Sequence, residues 1–347
     1  MIRKYGIFLL FFILIAMLAA CSSDESASGG SGSDVDVQIE DASYILAGDS
    51  GVSLNEDSGL LSVTLAITNK SDQSIHVSPY DGIVLYEEGE QKSPETDIFD
   101  AKVDLGATDF GDIGPEKMKK VNVLFYVENG KEYEIGIKPM MNDPGAEPEE
   151  VTVPLNTADY AESFEALYDP EKALIAFVET IYFDQENPDY ERLVSADKEA
   201  LQEDAKELFE DQLNTIFLEG VPEEELDKFY ETYKSLLRDK AEITAEIIAN
   251  ANDKAVIRFD YQTLPLDVYD EARKYTQEYR ENTGEWDSEA AEEYALSKFD
   301  HVLESIDPKS NRNELQVIMI QEDGKWKVDM SDYNGERLAE AFAAGMR

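Results

Sequence analysis

The alternation of apolar and polar positions changes period several times along the 347 residues, and each change marks a different kind of segment. Ile7 to Met17 is an unbroken apolar run preceded by Arg3 and Lys4. It is too short for a membrane helix, which needs about 20 apolar residues, and it has the length of an export-signal core. Serine and glycine then dominate from Ser22 to Ser33, which predicts a flexible tether that buries no core. From Val35 the period becomes two: Val35, Val37 and Ile39 alternate with polar residues, as do Leu61, Val63, Leu65 and Ile67 before the turn cluster Asn69-Lys70-Ser71-Asp72. Ile83 to Tyr86 leads into a turn at Glu87 to Glu90, and Val121, Val123, Phe125 and Val127 reach the hairpin signal Asn129-Gly130, answered by Tyr133, Ile135 and Ile137. Val151 to Val153 closes the series among prolines 144, 148 and 154, and the boundary falls near Asn156.

Beyond it the period lengthens. Asp169 reads as an N-cap with Pro170 at the first helical position, and Ala173, Leu174, Phe177, Val178, Ile181 and Tyr182 form one apolar face. Leu201, Ala205, Leu208, Phe209, Ile216 and Phe217 predict a second helix ended by Gly220, and Pro222 starts a third carrying Leu226, Phe229, Tyr230, Tyr233 and Leu237. Ile243, Ala245 and Ile247 then alternate, turn at Asn252-Asp253 and are answered by Ala255, Ile257 and Phe259; a second hairpin turns at Asp323-Gly324. Val268 to Tyr279 and Phe299 to Leu303 predict two inserted helices between the hairpins, and a last helix begins beyond Asn334-Gly335.

The expected organisation is a signal peptide over 1–20, a tether over 21–34, an all-β domain over 35–154 and an α+β domain over 157–347, with a helical insertion at about 265–306.

Charge narrows the function. The 76 Asp and Glu against 30 Lys and Arg give a formal charge of -46, and loss of residues 1–20 removes Arg3 and Lys4 but no acid. Such a polyanion repels nucleic acid, so a nucleic-acid partner is excluded. The acidity fits a solvated surface in a salty or alkaline exterior, or a reservoir for divalent cations. The calcium-loop pattern D-x-[DN]-x-[DN]-G does not occur.

Cys21 is the one cysteine, so no disulfide can form within the chain, and His76 and His301 are the only histidines. No zinc site, metal site or cofactor is expected. Leu18-Ala19-Ala20-Cys21 after the apolar run resembles the lipobox of bacterial prolipoproteins. The resemblance implies diacylglyceryl transfer to the Cys21 thiol and cleavage between Ala20 and Cys21, leaving two acyl chains that give stable attachment to the membrane.

Leu61-Ser62-Val63-Thr64-Leu65-Ala66-Ile67-Thr68-Asn69-Lys70-Ser71, then Gly114-Pro115-Glu116, Val121 to Val127 and the strand from Tyr133 to Pro139, resemble a telokin-like, immunoglobulin-like domain of Gram-positive surface lipoproteins. That likeness implies an antiparallel sandwich and no enzyme. Helices followed by a sheet with Gly324-Lys325-Trp326-Lys327-Val328 near the end resemble the cystatin-like or nuclear-transport-factor-like group, and also an uncharacterised lipoprotein domain of bacilli.

Candidate chemistry is sparse. G-x-S-x-G, the P-loop and H-E-x-x-H are absent. Glu223-Glu224-Glu225 reads as an acidic first helical turn that complements the helix dipole. His76 reads as an outward strand residue and His301 as a solvent-facing helix residue. Tyr230, Tyr233, Tyr261, Tyr269, Tyr275, Tyr279, Trp286 and Tyr294, set among acids, read mainly as helix-to-sheet packing; the alternative is a surface for sugar rings or cations. The chain therefore reads as a non-catalytic lipoprotein anchored through Cys21 on the extracytoplasmic face of the cell membrane, binding an envelope protein, glycan or small ligand. A cell-wall hydrolase and a divalent-cation-binding protein are the other classes.

Overall fold

The fold is that of a computed structural model, which describes residues 28–48, 57–98, 100–105, 110–141 and 149–346. Two antiparallel sheets make the first half. One has the order β1 (Gly29–Ser31), β2 (Val35–Ile45), β3 (Ser58–Asn69), β8 (Met118–Glu128). The other has the order β11 (Val151–Asn156), β9 (Glu132–Ile137), β5 (Ile83–Glu87), β6 (Glu90–Lys92). A small third sheet places β4 (Ile75–Val77) between β10 (Met140–Met141) and β7 (Gly111–Ile113). The period-two positions supply the shared core: Val37, Val63, Leu65 and Phe125 from the first sheet meet Leu85, Ile135 and Val153 from the second. At the turn after β3, the buried Asn69 amide donates to the Gln73 (2.7 Å) and Ile113 (2.8 Å) carbonyls, tying the turn to β7.

The glycine-rich stretch departs from the expected tether. Gly29–Ser31 pairs with Asp36–Gln38, and Ser28 bonds to the Pro154 carbonyl. The glycines are there for clearance: a Cβ on Gly30 would overlap the Thr152 carbonyl oxygen, and one on Gly32 would stand 2.9 Å from a Val151 methyl. Low side-chain volume, which reads as flexibility in sequence, here lets the backbone lie against β11. Gly30→Val should therefore cost about 1–3 kcal/mol in urea unfolding by overpacking. A loss below about 0.3 kcal/mol would show that β1 does not pack on β11 in solution.

Asn156 ends β11 and caps the next turn, its side chain accepting from Ala158 N. Short helical turns over 157–168 then lie on the first sheet: Ser163 Oγ accepts from Tyr44 N (3.0 Å) and Phe164 meets the Tyr44 ring edge-on at 4.9 Å. Burial pushes the Tyr44 phenol up to about 12.

The second half begins with α1 (Asp169–Ile181), α2 (Pro188–Leu193), α3 (Lys198–Asn214) and α4 (Glu223–Lys240). Asp169 lies within the first turn, one residue beyond the cap position held by Tyr168. The antiparallel sheet follows: β12 (Glu242–Ala251), β13 (Lys254–Thr263), β15 (Leu315–Glu322) and β16 (Lys325–Val328), with β14 (Lys309–Ser310) beside β13. Asn252 and Asp253 both have positive φ, the conformation a two-residue hairpin turn requires. The insertion holds α5 (Tyr269–Thr283), α6 (Ser288–Leu296) and α7 (Phe299–Glu304), one helix more than the periodicity suggested. The extra one, α6, buries only alanines, Ala291 and Ala295, which carry little periodic contrast.

The last helix, α8 (Tyr333–Ala343), contains Asn334 and Gly335 rather than following them. Gly335 serves there because a Cβ would overlap the Asp329 carbonyl. Helices and sheet share one core, in which Phe177, Phe209, Phe229, Tyr233, Phe259 and Phe342 are almost fully buried. No helix among the described residues is long and apolar enough to cross a membrane.

The halves meet directly. Leu46 and Asn250 exchange backbone hydrogen bonds of 2.8 and 2.7 Å. Ile45, Leu60, Val103 and Leu124 from the first half pack with Ala249, Ala251 and Val256 from the second.

Candidate functional site

A cavity with a volume of about 1010 Å³ lies at that junction. Its floor is apolar, made by Val123 and Leu124 of β8 with Ile98, Val103, Leu105 and Phe110. Lys254, the first residue of β13, enters from the second half.

The wall over 100–105 takes its shape from Asp100, which is only 7% exposed. Its carboxylate accepts from the backbone N–H groups of Gly48 (2.9 Å), Lys102 (2.8 Å) and Val103 (3.3 Å). Those bonds satisfy a buried anion that would otherwise be costly to desolvate, and they fasten the wall to the turn after β2. Asn122 adds a 2.8 Å bond from its amide to the Leu105 carbonyl.

His76 on β4 stands opposite Asp112 on β7, with Nδ1 2.9 Å from the carboxylate. The expected outward-facing histidine is thus an aspartate-paired residue that also lines the cavity. Ser78 lies nearby, but its hydroxyl accepts from Tyr80 N–H (3.2 Å). Among the described lining residues no nucleophile is hydrogen-bonded to a base, the arrangement covalent catalysis requires. Lys102, Lys254, Glu95 and Asp104 leave charges of both signs around the apolar floor. Such a surface suits a ligand with apolar and charged groups.

The remaining sequence candidates separate cleanly. Cys21 and Ala20 lie outside the described residues. His301 is exposed on α7, 3.7 Å from Glu304. Glu223, Glu224 and Glu225 form the first turn of α4. Tyr230, Tyr233 and Tyr261 are core residues; the Tyr233 hydroxyl donates to the Leu264 carbonyl (2.9 Å), and burial raises its pKa well above the usual phenol range. Tyr269 and Trp286 are exposed, while Tyr275, Tyr279 and Tyr294 are half-buried. The Trp286 ring is 5.8 Å from the Arg280 guanidinium, beyond the end of α5. Among the described residues no group of three or more His, Cys, Asp or Glu side chains is placed to hold a metal ion.

Sequence reasoning missed Asp100 and Lys254. Asp100 is one acid among many until the fold folds three N–H groups around it, and Lys254 reaches the cleft only because the halves pair at Leu46 and Asn250.

Known proteins share this architecture. The chain is 27% identical over 98% of its length to "Uncharacterized lipoprotein YcdA" of Bacillus subtilis (strain 168), and the alignment spans 98% of that protein. The crystal structure of ycdA from Bacillus subtilis subsp. subtilis str. 168 superposes with a TM-score of 0.66 at 24% identity, covering 92% of this chain and 99% of that one. The likeness shows the shared fold of β sheets, then helices, then an antiparallel sheet. Residues 160–343, more than half of the chain, match the family model described as "Domain of unknown function (DUF5105)", and the chain belongs to that family.

Proposed function

We propose that this chain is a non-catalytic lipoprotein, cleaved between Ala20 and Cys21, lipidated on Cys21 and held on the extracytoplasmic face of the cell membrane. In this reading residues 35–154 form an immunoglobulin-like domain, residues 157–347 form an α+β domain of cystatin-like or nuclear-transport-factor-like type, and the cleft between them binds an envelope ligand. The name of the YcdA relative supports the anchor. The cavity supports the binding role: it has the size of a small-molecule or short-peptide site, and Lys254 of the second half joins the first-half residues that line it.

The test is a thermal-shift panel of muropeptides, wall glycans and short peptides against the full chain in non-ionic detergent. A responding ligand is expected to lose at least about tenfold in affinity with Phe110→Ala or Lys254→Glu, as for residues central to an interface. Unchanged affinity in both variants would place binding elsewhere. Cleavage of purified cell wall by the chain would favour a hydrolase.

A further inference from the structure

A second groove, far smaller, runs between α3 and α8, with a volume of about 440 Å³. Leu201, Leu208, Met330 and Ala339 make its floor apolar. Its rim is wholly acidic: Asp204, Glu207 and Asp211 come from α3, and Glu336 and Glu340 from α8. On α3 these acids are three and four residues apart, about 4.5 and 6 Å along the axis, so they share one face. No Lys or Arg lines the groove, and none of the five carboxylates makes an ion pair with a described residue. Elsewhere the helices are matched: Lys206, also on α3, pairs with Asp227 of α4.

An acidic rim alone would be ordinary on this chain. The further observation is Tyr182, which lines the same groove and is only 2% exposed. Its ring is wedged between Phe177, edge-on at 6.0 Å, and Phe342, stacked at 5.9 Å. Its hydroxyl makes no hydrogen bond to a described residue, while the residue as a whole is buried against the groove. Burial, with the Tyr230 and Asp204 charges adding to it, raises its pKa, so the group is a neutral O–H with lone pairs free to accept.

We propose that the α3–α8 groove binds a linear aliphatic polyamine, with ammonium groups on the carboxylates and the Tyr182 hydroxyl and methylene segments on the apolar floor. The chemistry selects this class over a metal ion. The acids are spread along two helices, and no three of them converge as metal ligands. Their axial spacing is close to the length of the three- and four-carbon spacers of such amines, and the floor between them is hydrocarbon. The site is independent of the cleft between the halves and of any role assigned to it.

Spermidine titrated calorimetrically into the full chain in non-ionic detergent, at about 150 mM NaCl to screen diffuse counterion binding, is the test. One saturable site is expected. Glu336→Gln with Glu340→Gln should weaken it at least about tenfold, and Tyr182→Phe about threefold or more, since charge-assisted hydrogen bonds are lost. Glu223→Gln with Glu224→Gln makes the same charge change on the exposed first turn of α4 and should alter affinity less than about twofold. Melting curves of each variant confirm folding. Equal weakening by the two double variants, or heats that do not saturate, would reduce the effect to general polyanion binding and overturn the proposal. So would full displacement of spermidine by magnesium chloride at matched charge.

Discussion

Cys21→Ala is expected to move the chain from the membrane fraction to the medium or to leave an unlipidated precursor, with the detergent-phase share falling by an order of magnitude or more. Each buried methylene of an acyl chain contributes about 0.8 kcal/mol, so one chain holds reversibly and two hold stably. The chain contains no second cysteine that could take a lipid, and no described helix is long and apolar enough to span the bilayer in its place. The surface opposes rather than aids adhesion, because a formal charge of -46 repels anionic headgroups. Membrane attachment should therefore depend on this one thiol. Unchanged detergent-phase partitioning of the variant would refute lipidation at Cys21.

Phe342→Ala is expected to lower the unfolding free energy by about 3–5 kcal/mol, enough to remove much of the stability of an ordinary domain. Phe342 is 1% exposed and joins elements distant in sequence. Its ring lies 5.3 Å from Phe183 and 5.9 Å from Tyr182 at the end of α1, and 5.2 Å from Tyr261 and 6.3 Å from Phe259 on β13. Truncation leaves a cavity lined by rigid rings, which collapse poorly into it, and loosens α8 from the sheet. With no disulfide available within the chain, the fold relies on packing and hydrogen bonds. Urea unfolding measures the effect, and a loss below about 1 kcal/mol would show that α8 is not docked as described. Phe342→Leu, which keeps most of the volume, should cost clearly less.

Much of the architecture is legible in the chain. Strands betray themselves by period two, and Asn252-Asp253 and Asp323-Gly324 have the residues that tolerate the positive φ of tight hairpins. Helices α1, α3 and α4 declare their buried faces at helical spacing. What stays hidden depends on long-range contact. Gly30 and Gly32 look like spacer residues until β11 lies against them. α2 carries its start signal openly, since Asn187 caps it with Pro188 at the first position, yet it is too short to show a period.

The sites were harder to read, for one physical reason. Seventy-six acids make every local carboxylate pattern commonplace, so chemistry is set by which acids the fold brings together. Glu223 to Glu225 are adjacent and form only the first turn of a helix; Asp204, Glu207, Asp211, Glu336 and Glu340 are scattered and converge on one groove. Asp100 is distinguished only by the three N–H groups turned toward it. Tyr182 reads as one more apolar-face residue of a helix, and its unpartnered hydroxyl appears only once Phe177 and Phe342 enclose the ring.

Hydrogen exchange on the full chain, with and without the ligand found in the thermal-shift panel, tests the binding cleft most directly. The cleft account predicts slowed exchange in 76–80, 94–98, 100–105 and the amides around Lys254, with both halves responding together because residues of both line the cavity. Protection confined to one half, or found only away from these segments, would contradict it.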